Sequence, residues 1–264
     1  MRNFLFVFLL IPLLGCGHSE LVSPTGQKDI MFSSEVDSQT QTKAKEEQPQ
    51  VQKLTALNTN TAVKDKKRAV MLDVPLINQN PELKYGCEVT SLTMVLQYAG
   101  VKIGKMDLYN SVRKDNDPLI RYKNDIVKWG NPSEGFVGDM TGKRAGYAVF
   151  DKPIEELVNK FLPGRAVNLT GQDFDSVLNH ASKGFPVVVW TTGDYRLPDR
   201  WESWTHGSQT IKTPLDLHAV VLVGYDDNYV YLNDPLSGKK QVKVSKKRFI
   251  SSWKALQSRA VSYQ

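Results

Sequence analysis

The sequence predicts an α+β fold: a helix beginning at Cys87 packed on an antiparallel sheet whose strands arrive much later in the chain. Three observations predict it. Val89, Leu92, Val95, Leu96 and Ala99 recur at helical spacing, and Gly100 follows as a stop. The runs PVVVWTT and LHAVVLVGY read as buried strands. Asp226-Asp227-Asn228 then has the composition of a short hairpin connection into a further strand, Tyr229 to Asn233.

The remaining elements follow in order. Val70 to Ile77 alternates loosely and contains Pro75, so it reads as an opening strand near an edge. NQNPELKYG is rich in turn formers and delivers Cys87 to the start of its helix. Residues 105–170 are weakly patterned, with a shorter helix expected in PIEELVNKFL. Gln172 to Ser182 places Phe174, Val177 and Leu178 on one helical face and ends before Gly184. WESWTHGSQ reads as a polar loop bordering a cleft, and QVKV at 241–244 as an added antiparallel strand.

The first sixteen residues, MRNFLFVFLLIPLLGC, read as an export signal. The apolar run from Phe4 to Leu14 is too short for a hydrocarbon core that needs about 20 residues. Leu13-Leu14-Gly15-Cys16 resembles the lipobox of bacterial lipoproteins, which implies lipid on Cys16 and anchoring outside the cytoplasm. Residues 17–69 are polar, with Phe32 their sole aromatic, a composition that cannot offset the entropy of ordering and is expected to act as a tether. Residues 70–264 are enough for one catalytic domain. The 34 lysines and arginines, against 28 acids, give a net charge of +6 that is scattered along the chain, and no nucleic-acid partner is expected.

With Cys16 lipidated, Cys87 has no cysteine partner. A helix start presents unpaired N–H groups and a positive dipole end, which are expected to lower its pKa toward the reactive thiolate. Gly86 would let a substrate backbone approach the sulfur. A base is needed as well. His18 lies in the tether, His180 on a helix where it is expected to be partly exposed, and His206 in the polar loop. His218 opens a strand that would fix its ring. If Asp226 to Asn228 form a three-residue loop, with Asn228 left-handed and Tyr225 paired with Tyr229, then Asp234 is the same-face diagonal neighbour of His218, with Cβ atoms about 7 Å apart. Asp234 could then hold one ring nitrogen and leave the other for the thiol. The backbone N–H of Cys87 is one candidate oxyanion donor; Gln79, Asn78 and Asn80 are competing candidates for a second. No His, Cys and carboxylate group has metal-ligand spacing along the chain, so no metal or cofactor is expected.

VPLINQNPELKYGCEVTSLTMVLQYAG and, far downstream, LHAVVLVGYDDNYVYLNDPLSG resemble the bacteriocin-processing-like cysteine peptidases, family thirty-nine, in their stand-alone secreted branch. The resemblance covers about residues 70–260. It implies a papain-like fold, a catalytic triad of Cys87, His218 and Asp234, Gln79 in the oxyanion hole, and a peptide or protein substrate. Exporter-linked members cut double-glycine leaders; this sequence has no nucleotide-binding motif, so that substrate is not carried over. Two alternatives stay open: a cell-wall amidase of the NlpC type, whose cysteine usually sits in a different motif from GCEVTS, and a non-catalytic peptide-binding lipoprotein on the same fold.

Overall fold

Strand β1 (Val70–Met71) opens the part of the chain that a computed structural model describes, residues 69–264. The expected signal peptide with Cys16, and the tether up to residue 68, lie outside the described residues. After β1 come α1 (Cys87–Tyr98), α2 (Lys105–Ser111), β2 (Lys114–Asp115), β3 (Ile120–Tyr122), β4 (Asp125–Lys128) and β5 (Phe136–Val137). Helix α3 (Asp151–Phe161), β6 (Ala166–Asn168), α4 (Phe174–Ser182) and β7 (Val187–Thr192) lead to a hairpin of β8 (Trp201–His206) and β9 (Gln209–Pro214). The chain closes with β10 (Leu217–Tyr225), β11 (Tyr229–Asp234), β12 (Lys239–Ser245), α5 (Lys246–Ala255) and β13 (Ala260–Tyr263).

The main sheet is antiparallel, in the order β12-β11-β10-β7-β13-β6, with β1 beside the far end of β10. Strand β7 is buried throughout, as its unbroken apolar run requires. Val188 and Trp190 share a core with α1, α2 and α3; Val187 and Val189 share another with α4 and α5. The sheet is therefore a middle layer with helices on both faces, an α+β fold with the helix-on-antiparallel-sheet arrangement that the papain-like resemblance implies. Asp173 caps α4, its carboxylate accepting the Ser176 N–H at 2.7 Å. Among the described residues no helix is long and apolar enough to cross a membrane.

Several expectations are corrected. The opening strand stops at Met71, because β7 takes the same edge of β10 from Leu222 onward. WESWTH is not a loop but β8, in a second sheet ordered β3-β4-β8-β9. Only Trp204 of that strand is buried, packing on Trp129 and Tyr147, so its sequence carries no alternation to read. His180 is buried rather than partly exposed, its Nε2 3.0 Å from the Tyr263 carbonyl.

The hairpin register also differs. Tyr225 pairs with Val230 and Gly224 with Tyr231. The Asp226 carboxylate accepts the N–H groups of Asn228 at 2.8 Å and Tyr229 at 2.7 Å, closing a tighter turn than a three-residue loop. Asn228 is not in the left-handed region. A bulge at Val223 then inserts one residue into β10, and Leu222 pairs with Leu232 and Val221 with Asn233. Turn and bulge offset one another, so the ladder reaches His218 in the register the longer loop would have set. Gly224 is required beside the bulge, since a Cβ there would lie 2.5 Å from the Val70 carbonyl oxygen of β1.

Candidate active site

Helix α1 packs against β10, and Ser91 Oγ donates to the Ala219 carbonyl at 3.1 Å, one residue from His218. Cys87, at the first position of α1, and His218, near the start of β10, line one cleft of about 800 Å³. Aromatic Tyr85, Trp129 and Tyr147 form much of its wall, with Arg121 and Asp216 as charged groups. Trp129 and Tyr147 belong to the small core of the second sheet, so that sheet supplies the opposite bank of the cleft.

His218 Nε2 is 2.8 Å from Asp234 Oδ1, both groups being buried. Asp234 gathers further donors: Tyr195 OH at 3.1 Å, Ser237 Oγ at 2.7 Å and the Leu236 N–H at 2.9 Å. Burial alone would raise the Asp234 pKa, but the hydrogen bond and charge of His218, with the Ser237 and Leu236 donors, outweigh it and hold the carboxyl well below the usual range. An anion so fixed orients the ring by Nε2 and leaves Nδ1 as its other nitrogen. Tyr195 and Ser237 are absent from the sequence reading; nothing short of the fold brings Tyr195 to Asp234.

Gln79 is buried and lines the cleft, its N–H bonded to the Pro235 carbonyl at 2.9 Å, next to Asp234. Its Nε2 donates to the Lys84 carbonyl at 2.8 Å, which leaves one amide hydrogen; its Oε1 is buried without a hydrogen-bond partner. Asn80 also reaches the cleft, whereas the Asn78 side chain accepts the Asn80 N–H at 2.9 Å.

Two expectations about Cys87 are corrected. Gly86 serves the turn into α1, because a Cβ there would meet Leu83 Cβ at 2.5 Å. The lowering effect of the helix end is outweighed. Burial and, after it, the adjacent Glu88 carboxylate push its pKa well above that of a free cysteine, against the opposing backbone N–H groups of Ala219 and Cys87. Its hydrogen bond goes to Glu88 Oε2 at 3.4 Å, not to the imidazole. Glu88 is fully buried, and its Oε1 accepts the Val149 N–H at 3.1 Å. Burial pushes this carboxyl up to about 7, in spite of the Glu88 and Val149 N–H groups and the thiol. The sequence placed Glu88 in the first helical turn, where an acid is ordinary, so nothing marked it as the thiol's partner.

A thiol at a helix start, facing a cleft with a carboxylate-held histidine, is the arrangement of a thiol peptidase. Residues 71–261 match the Peptidase_C39 like family. The chain belongs to that family. Its relative "Uncharacterized protein YvpB" from Bacillus subtilis is 39% identical over 213 residues, 78% of this chain and 82% of YvpB. The crystal structure of a "putative C39-like peptidase" from Bacillus anthracis superposes with a TM-score of 0.68 at 40% identity, covering 74% of this chain and 97% of that one. The family match spans both the GCEVTS segment of α1 and the β10–β11 hairpin.

Away from the cleft's floor the structure joins Asp115, Asp117 and His206, whose ligand atoms all lie within 4.8 Å of one another. A search for ligand spacing along the sequence missed this grouping because His206 comes from a different hairpin.

Proposed function

We propose that the protein is a cysteine peptidase that hydrolyses an amide bond in a peptide or protein, with Cys87 as nucleophile, His218 as base, Asp234 as its orienting group and Gln79 in the oxyanion hole. The observation that carries the reading is the 2.8 Å contact of His218 with Asp234 on the wall of the cleft that also holds Cys87. In this reading His218 works as the general base for the Cys87 thiol. As Sγ attacks the scissile carbonyl carbon, the thiol proton passes to His218 Nδ1 and the carbonyl π electrons move onto oxygen. The second Nε2 hydrogen of Gln79 and the Cys87 N–H serve that oxyanion. Collapse expels the amine, which takes the proton from His218, and leaves a thioester on Cys87. Water, deprotonated by the same nitrogen, then releases the carboxylic acid and restores the thiol.

A peptide electrophile directed at thiols tests this on the full protein. One adduct on Cys87 is expected, lost in His218→Ala. Labelling only after unfolding, or unchanged without His218, contradicts it. Placement outside the cytoplasm through lipid on Cys16 is the second half of the proposal, supported by the Leu13 to Cys16 ending and the polar stretch after it. Cys16→Ser should move the protein from the membrane to the aqueous fraction, and a wild-type protein already wholly aqueous contradicts it.

A further inference from the structure

Asp115 ends β2, Asp117 follows two residues on, and His206 closes β8 at the turn into β9. His206 Nδ1 lies 3.4 Å from Asp117 Oδ2 and 3.7 Å from Asp115 Oδ2, is buried, and has no hydrogen-bond partner. A hydrogen bond from this ring nitrogen to either carboxylate would close to about 2.7–2.9 Å, the length of the His218–Asp234 contact at 2.8 Å. Separations of 3.4 and 3.7 Å also fall in the range of two ligands on one cation. Metal–N and metal–O bonds of about 2.0–2.2 Å in a tetrahedral shell set neighbouring ligand atoms about 3.4 Å apart.

The far side of the ring faces a third carboxylate. His206 Nε2 faces Glu134 Oε2 at 3.5 Å, and Glu134 Oε1 accepts from Asn131 Nδ2 at 2.9 Å. The 3.5 Å to Glu134 is an ion-pair distance and not a hydrogen bond, but it sets a carboxylate on the nitrogen away from Asp115 and Asp117, where a metal-bound histidine takes its support. The Asn131 N–H in turn donates to Asp115 Oδ2 at 2.9 Å, so one short loop holds both the ligand and its support.

We propose that Asp115, Asp117 and His206 bind a divalent first-row transition cation, zinc foremost, with Glu134 orienting His206. One nitrogen and two carboxylate oxygens suit zinc, and a fourth position is left for water. An open cavity of about 590 Å³ borders Asp115 and Asp117, with Arg144 and Trp129 also in its lining. Lys128 Nζ, 3.6 Å from Asp117 Oδ2 and half exposed, is the competing cation and can swing into solvent. The bound ion would tie β2 to the β8–β9 hairpin, whose Trp204 backs the cleft residues Trp129 and Tyr147. This inference does not depend on the peptidase reading.

Calorimetry and cobalt(II) spectra on the full, chelator-treated protein test it. One zinc per chain is expected, with a rise in melting temperature, and bound cobalt should show d–d bands without a thiolate charge-transfer band. Binding should be lost in His206→Gln and reduced at least tenfold in Asp117→Asn, whose exposed side chain allows the fold to be kept. It should persist in Cys87→Ala, which separates this site from the cleft thiol. Zinc that binds equally well without His206, or depends on Cys87, overturns the proposal. So does calcium binding without zinc, or no binding at several hundred micromolar zinc.

Discussion

The two banks of the cleft are built differently. The bank carrying Cys87, His218 and Asp234 is a long helix on a wide antiparallel sheet, its residues buried in two continuous cores. The opposite bank is a small sheet of short strands whose core consists of Ile126, Trp129, Val137, Tyr147, Ala148 and Trp204. The groups proposed to react sit on the first; the second lends the cleft its aromatic wall. Rigid elements hold reacting groups more tightly than loops and short strands do, whereas a lightly packed wall opens more readily.

Trp204→Ala should break that comparison or establish it. The side chain is buried and its Nε1 donates to the Gly130 carbonyl at 2.8 Å, so its loss should cost about 3–5 kcal/mol. Hydrogen exchange should accelerate across β8 and β9 while β7 and β10 keep their protection. Equal loss in both sheets would show one cooperative unit and no difference between the banks.

Glu88→Gln sharpens the account of the first bank. The folded-state pKa of Glu88 is raised from 4.5 to about 7, so its contribution to stability is fully present below pH 4.5 and is lost as pH rises through 7. Removing the charge should therefore make the variant gain on the wild type between pH 5 and pH 8, by roughly 3 kcal/mol at the upper end. Urea unfolding at both pH values reads this directly. Because Glu88 also raises the thiol pKa, alkylation of Cys87 should begin at lower pH in the variant. A stability difference that does not vary with pH would show that Glu88 is not a neutral buried acid.

The same contrast explains what was legible in the sequence. Helix α1 and strands β7, β10 and β11 bury whole apolar periods, and their pattern reads plainly. Cys87, His218, Asp234 and Gln79 were singled out because their segments resemble a family motif, and the structure sets Cys87, His218 and Gln79 on one cleft with Asp234 bonded to His218. The hairpin geometry carried Asp234 to the right face although the turn was misjudged, since the Val223 bulge offset it. The second sheet was not legible, because β3 is wholly exposed and β8 buries only Trp204, so no periodicity survives. Tyr195, held at φ 63° in the turn after β7, and Glu88 act through contacts that pattern does not encode. The raised thiol pKa followed from burial, which no single sequence position reports.

The central claim is that Asp234 sets His218 to serve Cys87. Its most direct measurement is the rate of Cys87 acylation by a peptide electrophile in Asp234→Asn, with the melting temperature taken on the same sample. The account predicts a rate lower by about two to four orders of magnitude, through a misoriented or wrong-tautomer ring, with a melting temperature within a few degrees of the wild type. An undiminished rate alongside a lowered melting temperature would show that Asp234 only closes the turn at Ser237, and would remove it from the mechanism.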